Sequence, residues 1–217
     1  MNIQKIIKDS GAEHFITMVK NKLKKYNGKI LFKNTDIVHR DIDGEFSEFD
    51  MTIKCYIDPS SNYWVGVLAH EYSHFRQSIT ESPYWTNFQN EVAEVDDFDK
   101  IFKNKKTKLS AAKAKRLKII YHVARMELDC DKSAIKLINK YKLPVDKNEY
   151  RAKANIVLYK YLYWAEYGIW PNIISKKTNK TVDWRELKLN RLLAEEKYSC
   201  ADDIPRKLFY IFQDNNL

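Results

Sequence analysis

Glycine and proline are scarce in this chain, five of each among 217 residues. An all-β or loop-built protein needs more turn residues than that, so the composition points toward helices. Cysteine is scarcer still: Cys55, Cys130 and Cys200 are three in number and far apart. That excludes a disulfide framework, and the lack of any C-x-x-C pair excludes a cysteine-based zinc ribbon. No apolar run approaches the roughly 18 residues of a membrane span, which excludes an integral helical membrane protein. The first residues, MNIQKIIKDSGAEHF, hold neither a continuous apolar stretch nor a small-residue cleavage site. A secretory signal is therefore not expected, and the free thiols fit a reducing, cytoplasmic setting. What the chain does have is a hydrophobic fraction of 44% and a charged fraction of 31%, enough for a folded core. Its 38 basic and 29 acidic residues leave a net charge of +9. Such a balance permits nucleic acid or an anionic surface as partner without demanding either.

The length suits a single domain over residues 1–217. Ile3, Ile6, Ile7, Phe15, Val19 and Leu23 recur at helical spacing, predicting a helix over 3–26 that Asn27-Gly28 ends. Two β-like runs follow, Lys29–Phe32 and Asp36–Ile42, then Asp43-Gly44 as a type I′ hairpin turn. Met51, Ile53, Cys55 and Ile57 alternate with polar residues, the pattern of an antiparallel strand with one buried face. Asp58-Pro59-Ser60-Ser61-Asn62 breaks that strand and a helix is predicted from Tyr63 to Ile79, stopped by Ser82-Pro83. Further helices are expected at 88–103, from about Ser110 to Tyr141, at 147–168 behind an Asp146/Glu149 capping box, at 184–197 and at 203–213. The order makes an α+β fold. A small antiparallel sheet packs on the helix after it in residues 1–80, and a mostly helical part covers 81–217.

The helix 63–79 contains His70-Glu71-Tyr72-Ser73-His74, an H-E-x-x-H. Residues four apart share one helix face, so both imidazoles can meet one ion at the Zn–N distance of about 2.0–2.1 Å. Glu71, one residue on, stands beside the ligands, where a carboxylate can take the proton of a zinc-activated water. With 5 His and 13 Glu in the chain, chance supplies roughly 0.01 such matches. The bland alternative is a surface helix with two incidental histidines, and the apolar run Trp64–Ala69 before the motif argues against it.

A catalytic zinc needs a third protein ligand. A metzincin places Gly at 77 and His at 80, and this chain has Gln77 and Thr80. The other histidines are His14, His39 and His122. On the helix 120–138, steps of three and four give Ile120, Ala124, Glu127, Asp131, Ala134 and Ile138. Two carboxylates thus fall on an apolar stripe, where burial is costly without a metal or a partner. One can serve as third ligand and the other as acceptor for a ligand histidine's second N–H.

H-E-Y-S-H followed by a downstream E-x-x-x-D resembles the gluzincin metallopeptidases of the zincin fold. The resemblance covers roughly 45–135. It implies that His70, His74 and Glu127 hold Zn2+, that Glu71 is the general base, and that Asp131 orients His70. It also implies an extended edge strand beside the active-site helix, for which Met51–Ile57 is the candidate, pairing with a peptide or protein substrate. About one E-x-x-x-D is expected by chance, so its weight lies in its position on the apolar face. An oxyanion stabiliser stays unassigned; Tyr150, Tyr159, Tyr161, Tyr163 and Arg151 are the candidates.

Two rival readings stand beside a zinc metallopeptidase. One is a catalytically silent zincin-like structural or partner-binding module. The other is a basic nucleic-acid-associated factor using the run 103–118, whose bland reading is a solvated helix face. Cys130 reads as a small buried residue facing away from the carboxylates, and the aromatics of 156–170 as core.

Overall fold

The computed structural model of the chain describes residues 2–34, 43–93, 113–173, 184–192 and 195–214. Among them are seven α-helices, three short 3-10 turns and three strands. The fold is α+β. The chain divides into two compact units, Met1–Ser82 with Cys130–Tyr150, and Pro83–Asp129 with Arg151–Leu217.

The first unit opens with α1 (Ile3–Asp9) and α2 (Glu13–Lys24), so the expected single helix over 3–26 is two. The break falls at Ser10-Gly11, where Ser10 folds its hydroxyl back onto the Ile7 carbonyl at 2.6 Å and Gly11 takes φ 71°. Asn27 ends α2 as its sequence promised: it sits at φ 58°, and the Gly28 N–H closes onto the Leu23 carbonyl.

Strands β1 (Lys29–Asn34), β2 (Gly44–Ser47) and β3 (Thr52–Ile57) form one sheet in the order β1-β3-β2. The sheet is mixed rather than antiparallel. β2 and β3 form a hairpin, while β1 runs parallel to β3 with Lys29 opposite Thr52. Period-2 alternation fits both directions equally, which is why it could not choose. Two further expectations are corrected. Gly44 lies in β2 opposite Cys55, without the positive φ of a type I′ turn; the left-handed residue of the hairpin is Met51 at φ 50°. And Met51–Ile57 is the middle strand, not an edge: both its sides are occupied, and β2 is the outer strand beyond it. The Asp36–Ile42 run lies outside the described residues.

Ile53, Cys55 and Ile57 of β3 are wholly buried against α3 (Tyr63–Ile79), in one apolar cluster with Phe15, Val19, Leu23, Leu68 and Phe75. α3 has the predicted bounds. From residue 64 to 78 only His70 and Arg76 escape full burial. Its C-terminus closes with Ser82 N–H on the Gln77 carbonyl around Glu81 at φ 48°. Pro83 then opens the next helix, at the position where a missing N–H costs nothing.

In the second unit, α4 covers Pro83–Ala93, earlier than the expected 88–103. Residues 94–112, with most of the acidic stripe and the basic run, lie outside the described residues, as do the side chains of 113–116. α5 (Lys113–Lys140) is a helix of 28 residues that belongs to both units, divided between Asp129 and Cys130. α6 (Lys147–Tyr167) starts where predicted, its Asn148 and Glu149 N–H groups bonded to the Asp146 carboxylate at 2.8 and 3.2 Å.

The expected helix 184–197 is instead two 3-10 turns, Trp184–Leu187 and Glu195–Tyr198, around an irregular stretch. Asn155 explains this. Its side-chain NH2 donates to the carbonyls of Leu189 at 2.7 Å and Arg191 at 3.1 Å, acceptors an α-helix would have used itself. The last helix, expected over 203–213, is α7 (Arg206–Asp214), with a 3-10 turn at Ala201–Asp203 before it. Leu208 and Phe212 of α7 pack in one cluster with Leu158, Leu162 and Tyr163, so most aromatics of α6 are core, as read, while Val157 and Tyr167 are exposed. Among the described residues no helix is long and apolar enough to cross a membrane.

Candidate metal centre

α3 presents His70 and His74 one turn apart, and their Nε2 atoms lie 3.0 Å from each other. The ring planes stand at 77°, with centroids 4.7 Å apart. Each ring is held from behind. His70 Nδ1 lies 2.8 Å from Asp131 Oδ1, and the Tyr150 hydroxyl donates to that same oxygen at 2.7 Å. An ionised Asp131 only accepts, and it would draw the His70 hydrogen onto Nδ1. Burial first, and the Asp131 charge after it, push the Tyr150 hydroxyl well above the ordinary tyrosine range. It therefore stays a donor at any physiological pH.

His74 is backed differently. Its Nδ1 lies 3.2 Å from Cys130 Sγ, and the Cys130 thiol donates to Gln77 Oε1 at 3.1 Å. All three side chains are buried. Sequence reasoning passed over Cys130 and Gln77, and counted Tyr150 only as a possible oxyanion group. The Tyr150 hydroxyl is 3.5 Å from His70 Nδ1, the nitrogen opposite the one facing His74. It stands behind the ring rather than before it, so it is not placed to meet a substrate oxyanion. Tyr159, Tyr161 and Tyr163 lie in apolar clusters.

The signal for Cys130 was present in the helix geometry. At 100° per residue, Asp131 lies about 40° to one side of Glu127 and Cys130 about 60° to the other. A buried stripe about 100° wide includes both. Asp131 and Cys130 thus reach different histidines from one turn of α5.

Glu127 sits on that helix one turn before Asp131. His70, His74 and Glu127 each offer one ligand atom, and the three atoms lie within 4.8 Å of one another. They form a group that could hold a metal ion, and it contains the three residues the sequence named for that purpose. The test of fit lies in the protons. Asp131 stands at the Nδ1 of His70 and Cys130 at the Nδ1 of His74, and the two Nε2 atoms lie 3.0 Å apart. With both hydrogens on Nδ1, the Nε2 lone pairs would repel at that distance, and a shared cation would relieve them. Two nitrogens bound to one tetrahedral zinc stand about 3.3 Å apart at bond lengths near 2.0–2.1 Å, close to the separation here. Among the described residues no other group of this kind occurs. The donor set alone does not single out zinc from other divalent ions that accept nitrogen and oxygen.

Glu71 is buried, and its carboxylate lies against β2 at Gly44. A Cβ at residue 44 would stand 2.9 Å from Glu71 Oε1 and 2.5 Å from Val67 Cγ1. Glycine at that position is what lets the outer strand come so close to α3. A second glycine works the same way one turn before His70. A Cβ at Gly66 would be 2.7 Å from Tyr150 Cδ2, so the tyrosine ring that backs Asp131 packs directly on the α3 backbone.

His14 and His122 lie elsewhere: the His14 ring packs near Tyr141, and His122 Nε2 is 4.0 Å from Glu91, which also pairs with Lys118 at 2.6 Å. Lys118, the end of the basic run, is thus engaged by an acidic neighbour. His39 lies outside the described residues. No family model, no curated protein and no solved structure matches the chain.

Proposed function

We propose that the protein is a zinc-dependent metallopeptidase with a zincin-like site of gluzincin type. The observation that carries this reading is the pair of Nε2 atoms 3.0 Å apart with both Nδ1 atoms occupied. His70, His74 and Glu127 would hold the ion. Glu127 and Asp131 bring two formal negative charges to it, matching a divalent cation. Zinc bound there lowers the pKa of a coordinated water to about 7 and polarises a substrate carbonyl.

Glu71 follows His70 directly and is not needed as a ligand. Its part is to accept a proton from the attacking water and return it to the leaving amine. Asp131 and Tyr150 keep the His70 proton on Nδ1. Strand β2 lies over Glu71 at Gly44, and an extended peptide pairing with its outer side would pass near the base.

The test compares Glu71→Gln with the native protein, both loaded with zinc, on a mixed pool of unstructured peptides. Native protein is expected to cleave, and the variant to lose about 10²–10⁴-fold in rate while keeping its zinc. Activity surviving in the variant removes Glu71 as the base. A native protein that holds zinc but cleaves no peptide supports a silent, structural site instead.

A further inference from the structure

The Nδ1 of His74 lies 3.2 Å from a thiol. We propose that Cys130, with Gln77 as its acceptor, is the positioning residue of His74, fixing the ring's orientation and its proton on Nδ1 so that Nε2 faces the ion. The inference rests on the metal reading of the site.

The order of protons makes the case. Cys130 Sγ lies 3.2 Å from His74 Nδ1 and 3.1 Å from Gln77 Oε1. A thiol has one hydrogen. Gln77 Oε1 is a carbonyl-type oxygen and only accepts, so the S–H is directed there. The sulfur then meets His74 with a lone pair, and His74 Nδ1 must supply the hydrogen. The result is a one-way chain, His74 N–H to Cys130 S–H to Gln77 oxygen, which leaves Nε2 bare. Gln77 follows His74 by three residues on α3, so the acceptor is carried by the ligand's own helix. Cys130 is wholly buried, and no solvent water competes for the sulfur.

The two ligand histidines would then differ in character. An anion backs His70 and raises its basicity as a ligand, whereas a neutral, weakly accepting thiol orients His74 with little added charge. A partner behind a ligand histidine is worth about 10–100-fold in metal affinity when removed.

The experiment uses the full-length chain with 15N-labelled histidine, first metal-free and then titrated with zinc against a chromophoric chelator. Long-range proton–nitrogen correlation reads which His74 nitrogen carries the hydrogen. Native protein is expected to show it on Nδ1. Cys130→Ala is expected to give mixed tautomers and about 10–100-fold weaker zinc binding, and Cys130→Ser to restore most of both. Gln77→Leu supplies a second route should Cys130→Ala not fold. Without the Gln77 oxygen as acceptor, the thiol is expected to turn its S–H toward His74 and shift the ring proton to Nε2. An unchanged His74 tautomer in the Cys130→Ala or Gln77→Leu protein overturns the proposal. If the native protein binds no zinc, the metal reading fails, while the tautomer comparison still decides what Cys130 does.

Discussion

The two units bury polar side chains in different ways. In the second unit, the buried polar side chains among the described residues are Asn155 and Lys160. Each ends in a closed arrangement. Asn155 ties down two backbone carbonyls and accepts the Tyr198 hydroxyl, and the Lys160 ammonium lies 4.6 Å above the Trp170 ring. In the first unit Ser10 and Thr52 are buried singly, while Glu71, Ser73, His74, Gln77 and Ser78 are buried along α3. Ser73 and Ser78 close onto the Ala69 carbonyl and the Glu48 carboxylate, whereas Asp131 and Cys130 stand behind the two histidine rings. Burying a polar group without a partner costs about 1–3 kcal/mol in either place. The second unit meets that cost with structure alone, while the first sets two backed ring nitrogens 3.0 Å apart.

The sharpest way to break this contrast is to remove a ligand. The native protein is expected to hold one zinc per chain by elemental analysis, and His74→Ala and Glu127→Ala are each expected to abolish it. Asn155→Ala, in the other unit, is expected to keep the zinc in full while lowering stability by about 1–3 kcal/mol, read by urea unfolding. If Asn155→Ala also loses the metal, the contrast does not hold.

Gly66→Ala is expected to cost about 1–3 kcal/mol, because the new methyl group drives the Tyr150 ring off the helix. It should also weaken zinc binding by roughly tenfold, since Asp131 loses the hydroxyl that steadies it. A stability loss with unchanged affinity would separate Tyr150 from the site.

The smallest effects are expected in alkali. Burial raises the Tyr159 hydroxyl to about 12, and burial together with the Asp131 charge raises that of Tyr150. Both folded-state values lie above the ordinary tyrosine pKa of about 10. Each therefore stabilises the fold fully below that pH, and the contribution is lost as pH rises through the folded-state value. Tyr150→Phe and Tyr159→Phe should each flatten the fall of stability above pH 10. Only Tyr150→Phe should also shift zinc affinity, so measuring both variants sharpens the comparison between the units.

Much of α3 was legible in the sequence. Its H-E-x-x-H fixes a helix face, and the breakers Asp58-Pro59 and Ser82-Pro83 bracket it. Glu127 and Asp131 could be paired because one turn of a helix relates them without reference to anything else. The groups behind the histidines were not legible as a set. Tyr150 is nineteen residues beyond Asp131 and Cys130 fifty-six beyond His74, and only folding brings each pair together. Sheet direction escaped for a related reason, since alternation records burial and not which neighbour runs which way. Residues 184–197 were expected as one helix, and Asn155 takes two of the carbonyls that helix would need, each more than thirty residues later in the chain.

The parallel pairing of β1 with β3 also has a consequence in time. The β2–β3 hairpin joins residues a few positions apart, and such hairpins close in about 1–10 μs. β1 must cross more than twenty residues to meet its partner, Lys29 opposite Thr52, and distant pairings form late. During synthesis residues 29–34 leave the ribosome before 52–57, so β1 waits for its partner in β3. Pulse-labelled hydrogen exchange during refolding should find amides of 44–57 protected before those of 29–34. β1, made before the hairpin, would be the last strand of its sheet to settle.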